Sequence, residues 1–226
     1  MRRWLLLLLL GLAGCSDNGP AKMSWEYCIG SNADEIWHTR ALFSGKNSSS
    51  NELTHGVMTF VDKERLKKKD YRWQVGKCLS FDNQPVPDKV EIDWVSYHDM
   101  KRYSITLELP RDLGKQMTRP YRFKEDGIAQ RNVIMLGLAP GGYVEVFFIR
   151  PARPPDILLA SGIARIVADC WDHNKTHLDR HNGINGSIDR FGAFYEKYPI
   201  PTGVEWASIM EVYRAAKPTT DINSVN

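Results

Sequence analysis

Between Val90 and Leu109 apolar and polar positions alternate. Val90, Ile92 and Trp94 interleave with Glu91 and Asp93, and Tyr103, Ile105, Leu107 and Leu109 interleave with Ser104, Thr106 and Glu108. A period of two predicts strands with one buried face, and the short polar break His98-Asp99-Met100-Lys101 predicts an antiparallel hairpin. Val133 to Leu138 and Tyr143 to Ile149 are apolar on both faces, so this second hairpin is expected near the centre of a sheet. Its connection, Ala139-Pro140-Gly141-Gly142, suits a type II turn: proline fixes φ at the second position and glycine accepts a positive φ at the third.

Weaker runs at Trp25 to Ile29, Ile36 to Phe43, Val57 to Val61 and Leu158 to Val167 predict further strands, with Gly45 to Asn51 as an exposed loop. The pattern then changes. Ile188, Phe191, Tyr195 and Tyr198, and next Trp206, Ile209, Tyr213 and Ala216, recur at steps of three and four, which predicts two amphipathic helices. Thr202 followed by Glu205 forms a capping box ahead of the second. The expected fold is α+β, a β-rich antiparallel sheet or sandwich domain with two C-terminal helices.

The start of the chain follows a different logic. Arg2 and Arg3, the apolar run Leu5 to Leu10, and Leu12-Ala13-Gly14-Cys15 read as a bacterial lipoprotein signal peptide, with Cys15 as the acylated first residue of the mature protein. The apolar run is shorter than the roughly 20 residues of a membrane-spanning helix. The expected organisation is a signal peptide over 1–14, a lipidated tether over 15–22, and one periplasmic domain over 23–226, β-rich over 23–168 with a loop and helices over 169–226. Ser16, rather than Asp, follows the cysteine, so the outer membrane is the expected anchor site. Removing Arg2 and Arg3 lowers the formal charge from +3 to +1, which gives no global case for nucleic acid.

Three cysteines remain, Cys28, Cys78 and Cys170, in a compartment where disulfides persist, and the sequence does not choose among their pairings. There is no Gly-x-Ser-x-Gly elbow, no His-Glu-x-x-His, no Ser-x-x-Lys and no phosphate-binding or dinucleotide fingerprint, so neither an enzymatic activity nor a cofactor is expected. His173, His177 and His181 recur every four residues beside Asp172 and Asp179. On a helix they would share a face fit for zinc, yet Asn174, Asn182, Gly183 and Gly186 favour a solvated loop. Lys63, Arg65, Lys67, Lys68, Lys69 and Arg72, set against Glu64 and Asp70, form a basic stretch. A charged solvated surface is expected there, with Lys67, Lys68 and Lys69 the candidates if it contacts anionic lipid or an acidic partner. Trp94, Tyr97 and Tyr103 are expected to pack within the first hairpin rather than to hold a ligand.

Val90-Glu91-Ile92-Asp93-Trp94-Val95-Ser96-Tyr97, then Arg102-Tyr103 ahead of Leu107-Glu108-Leu109-Pro110, then Leu136-Gly137-Leu138-Ala139-Pro140-Gly141-Gly142 with Val144-Glu145-Val146, follow one another in order. That ordered set resembles a family of small bacterial lipoproteins of formally unassigned function, often encoded beside lipase effectors of the type VI secretion system. The resemblance covers roughly Ser24 to Ile166. It implies a lipid-anchored immunity protein whose partner is a cognate lipase toxin, and it carries no catalytic residue. In place of the Gly- and Trp-rich stretch usual in the family, this chain has Lys63 to Arg72 and Trp73, and its tail after Cys170 has no counterpart. The alternative expectation is a structural or interaction lipoprotein of the envelope, and a third is a metal enzyme built on the three histidines.

Overall fold

The computed structural model describes residues 19–45, 51–54, 61–123, 127–149, 157–169 and 192–215. In chain order the elements are β1 (Lys22–Ser31), β2 (Ile36–Ser44), β3 (Asn51–Thr54), α1 (Lys63–Lys67), β4 (Gln74–Pro85), β5 (Lys89–Ser96), β6 (Lys101–Glu108), α2 (Leu113–Thr118), β7 (Pro120–Phe123) and β8 (Gly127–Gln130). They continue with β9 (Val133–Ala139), a 3₁₀ turn (Pro140–Gly142), β10 (Tyr143–Ile149), β11 (Ile157–Ile163), β12 (Arg165–Val167), α3 (Gly192–Lys197) and α4 (Glu205–Ala215).

Both expected hairpins form, and each sits in a different five-stranded sheet. The first sheet runs β11-β10-β9-β1-β4 and the second β12-β6-β5-β2-β3, while β7 and β8 make a separate ribbon. Pairing is antiparallel except where β1 lies parallel to β9, Glu26 against Val133 through Ser31 against Leu138. Alternation then builds the core between the two sheets. Trp25, Tyr27 and Ile29 of β1, Ile134, Leu136 and Leu138 of β9, and Val144, Val146 and Phe148 of β10 point to one side. They meet Val90, Ile92, Trp94, Tyr103 and Phe43 from the other sheet. Trp94 and Tyr103 are cross-strand partners with ring centroids 5.4 Å apart, as the packing expectation required.

β9 and β10 are buried along their whole length because both faces are covered, and they are apolar apart from Glu145. On the outer face of the first sheet, Ala139 and Tyr143 pack with Leu66 of α1 and Trp206 and Met210 of α4. Beside them Val133, Met135, Phe147 and Ile149 lie against Cys28 and Trp73. The molecule is a β-sandwich with a helical layer on one face. The carboxylate half of the capping box is made: Thr202 N–H donates to Glu205 Oε2 at 2.9 Å.

Several expectations are corrected. Leu158 to Val167 is two strands, because the chain crosses at Ala164 from the edge of one sheet to the edge of the other. Asn51 begins β3 instead of ending a loop, and Val61 lies outside any strand, while 46–50 and 55–60 lie outside the described residues. The folded part starts ahead of Met23: Lys22 already pairs with Pro85, and the Ala21 carbonyl accepts from Val86 N–H. Cys28 and Cys78 are direct cross-strand partners and form a disulfide, which settles the pairing among the described cysteines. Cys15, Cys170, His173, His177 and His181 lie outside the described residues.

Candidate functional site

The sandwich has two ends. One gathers the start of β1, the end of β4 and α2. At the other lie the β1–β2 connection, the β5–β6 turn, the Pro140–Gly142 turn and the C-terminal helices, and there buried polar groups are concentrated.

Asp34 lies in the β1–β2 connection and is buried, its own N–H donating to Ser31 Oγ at 3.1 Å. Its carboxylate accepts from Ser96 Oγ at 2.5 Å and from the His98 backbone N–H at 2.9 Å. Ser96 Oγ in turn accepts the Asp99 N–H at 3.2 Å, which closes the β5–β6 turn. Asp99 takes His98 Nδ1 at 2.8 Å on one oxygen, and the Tyr103 hydroxyl at 2.9 Å and Gly141 N–H at 2.5 Å on the other. The His98 ring meets Tyr195 of α3 edge to face at 4.6 Å, and the Tyr195 hydroxyl donates to the Ala33 carbonyl at 2.9 Å. Four chain segments far apart in sequence are thus tied by one hydrogen-bonded network.

The electrostatics follow from burial and partners. Burial pushes the Asp34 carboxyl up to about 7, against the Ser96 and His98 hydrogen bonds that favour its charged form. Burial also opposes charge on Asp99, but the donors His98, Gly141 and Tyr103 outweigh it and its pKa is lowered. For His98, burial disfavours the imidazolium, yet the Asp99 hydrogen bond and the Asp34 and Asp99 charges prevail and its pKa is raised. An ionised Asp99 requires Nδ1 to be the protonated nitrogen facing it.

Ser, His and Asp side chains in contact invite comparison with a nucleophilic triad, but the bonds run the wrong way. A triad needs the serine hydroxyl to donate to the imidazole. Here Ser96 is fully buried and donates to a carboxylate, and the imidazole is engaged by a different carboxylate. The arrangement fixes loops; it does not activate a nucleophile.

A second buried carboxylate supports the same end. Glu145 of β10 accepts from Trp73 Nε1 at 2.9 Å and from the Tyr143 hydroxyl at 2.7 Å, and is ion-paired with Arg214 of α4. Trp73 lies so close over Gly137 that a Cβ there would sit 2.9 Å from its ring, so the glycine makes room for the indole. Gly141 has φ +75°, the positive value expected of the turn, and a Cβ on it would strike the Gly203 backbone. The Pro140 carbonyl accepts both Gly203 N–H and Trp206 Nε1 at 3.0 Å.

A family model described as "Protein of unknown function (DUF2931)" matches residues 14–203. The chain belongs to this family. No curated protein matches the chain, and no solved structure does. Within the matched DUF2931 region, the Trp94-Val95-Ser96-Tyr97 strand and the Gly137–Gly142 segment are the two pieces that Asp99 joins.

Of the candidates read from sequence, Lys67, Lys68 and Lys69 are exposed at the end of α1, with Lys67 Nζ 2.6 Å from Glu64. Asp70 draws in Arg72 and Arg65, and those donors hold its carboxyl well below the usual carboxylate range. Arg65, Lys67 and Arg72 are thus paired within the stretch, which acts in part as a brace, its Lys69 carbonyl accepting the Tyr213 hydroxyl of α4 at 3.1 Å. Among the described residues, the grouping with metal-ligand proximity is Glu26, Cys28 and Cys78, but both sulfurs are spent on the disulfide. The Asp34 network was not foreseen. Its partners lie some 60 residues apart, and the local signal was Ser96 inside the Trp-x-Ser-Tyr strand.

Proposed function

We propose that this DUF2931 protein is a lipid-anchored envelope protein that binds a lipase effector of the type VI secretion system and denies it membrane phospholipid, acting by occlusion and not by chemistry. The observation that carries the binding reading is the way Ser96, His98 and Asp99 are consumed in fixing loops, leaving a rigid polar end where a hydrolase would keep a free nucleophile. Loops held on a rigid sandwich suit tight, shape-based recognition.

Two further observations support the compartment. The Cys28–Cys78 disulfide suits an oxidising space such as the periplasm. The lipobox residue Cys15 lies within the family match, which opens at residue 14. Confining an inhibitor to the membrane under attack raises its effective concentration where the toxin works. Among the described residues no helix is long and apolar enough to cross a membrane. The attachment in this reading is the acyl group on Cys15.

The test is co-expression with a type VI lipase effector directed to the periplasm, chosen from the genes adjoining this one where such an effector is encoded there. The intact chain is expected to restore growth, and Cys15→Ser to restore less. Growth arrest unchanged by the intact chain would favour an envelope protein with no toxin partner.

A further inference from the structure

Gly19, the first residue the structure describes, is four positions from Cys15, a span of at most about 14 Å when fully extended. It lies flat against α2: with φ +81°, an ideal Cβ on Gly19 would sit 2.2 Å from Lys115 N and 2.5 Å from the Gly114 carbonyl carbon. Only a glycine allows the chain to pass so near the helix backbone. Whatever holds Cys15 is therefore held close to α2.

The residues around that contact are basic. Arg111, Lys115, Arg119 and Arg122 flank or lie on α2 and β7. Against them, among the described residues, stand Asp112, which accepts Gln116 Nε2 at 2.9 Å, and Asp82 near the end of β4, which accepts Ser24 Oγ at 2.5 Å; Lys124, Glu125 and Asp126 follow β7 in the sequence. Exposed Lys22 opens β1 beside them. At the strand ends nearby stand Lys89, Asp88 and Glu108, which leaves these described residues with an excess of two positive charges. Arg111 and Arg122 are exposed.

We propose that α2 and β7 form a docking face for the anionic phospholipid headgroups of the membrane that carries the acyl chain. The inference rests on the lipid-anchor part of the function proposed above. A short tether keeps the face near the headgroup layer, where attraction acts over a Debye length of about 8 Å. The geometry also orients the molecule. β1 leads away from this face for 10 residues, about 30 Å of strand, so the Asp34 network and Lys67, Lys68 and Lys69 stand away from the bilayer.

The test uses the mature chain with Cys15→Ser, which has no acyl group, in co-sedimentation with phosphatidylcholine vesicles with and without phosphatidylglycerol. Binding is expected only with phosphatidylglycerol and to weaken as salt rises. Each basic residue near such a surface contributes about fivefold, so Arg111→Gln with Arg122→Gln should lower partitioning by roughly 25-fold. Arg111→Lys with Arg122→Lys should retain it, and Lys67→Gln, Lys68→Gln and Lys69→Gln together should leave it unchanged. Equal binding to both vesicles, or loss on changing the α1 lysines instead, would overturn the docking face. Palmitate labelling of the wild-type chain reads the anchor separately: no label with intact phosphatidylglycerol dependence refutes the anchor alone, and label without that dependence refutes the face alone.

Discussion

Burial lifts the Asp34 carboxyl to about 7 from an ordinary value of 3.8, although Ser96 and the His98 amide both bond its charged form. Between those values the folded chain keeps a proton that the unfolded chain has lost, so stability falls as pH rises from about 4 to about 7. His98 acts in the same sense. Its pKa is raised, so its contribution is full below the unfolded value of 6.5 and is lost as pH climbs through the folded one. Asp99 acts oppositely, since its lowered pKa gives stability that is lost as pH falls through it. Asp34→Asn keeps an acceptor for the His98 amide and removes the titration. The urea midpoint of the wild type should decline across pH 4 to 7 by an amount equivalent to roughly 2–4 kcal/mol more than that of the variant. Parallel slopes for the two proteins would show that Asp34 does not titrate in this window.

At the level of elements, α4 is held to the first sheet by two kinds of contact. Trp206 and Met210 fill the apolar layer, and Arg214 neutralises the buried Glu145. Removing the arginine leaves a buried carboxylate that keeps its Trp73 and Tyr143 hydrogen bonds but loses its ion-pair partner. Because Arg214 is partly exposed, Arg214→Ala should cost about 1–3 kcal/mol, less than the full penalty for breaking a buried pair. Hydrogen exchange should then quicken in α4 before it does in β9. Unchanged exchange in α4 would mean that apolar packing alone holds the helix.

Elements whose burial is simple were legible in the sequence. β5 and β6 have one buried face and alternate, β9 and β10 are covered on both faces and read as continuous apolar runs, and α4 shows its capping pair and its three-four spacing. β4 escaped notice because it is the edge of its sheet. Lys77, Asp82 and Asn83 break its apolar period, Asn83 has a positive φ, and its register against β1 shifts twice. β7 and β8 are too short, at four residues each, to show a period. The parallel β1–β9 pairing joins segments about a hundred residues apart, and local pattern carries no such information. The same holds for the network. Asp99 looked like an ordinary turn residue until Gly141 and Tyr103 were placed beside it.

On the scale of the whole molecule, the two ends of the sandwich divide the work in the function proposed here. In that proposal the end carrying Gly19 and α2 would lie next to the lipid, and the end built around Asp34, Ser96 and Asp99 would be held clear of it for a protein partner. The disulfide between β1 and β4 closes a separation of 50 residues and staples the strand that connects those ends. It restricts the unfolded chain, and the periplasm of the proposed function would keep it oxidised. The most direct measurement is a titration of the proposed partner, a purified type VI lipase effector hydrolysing phospholipid vesicles, with the chain from Cys15 onward. Hydrolysis is expected to fall in proportion to added protein and to stop near an equimolar ratio; hydrolysis that continues at full rate in a large excess of the chain would contradict inhibition by occlusion.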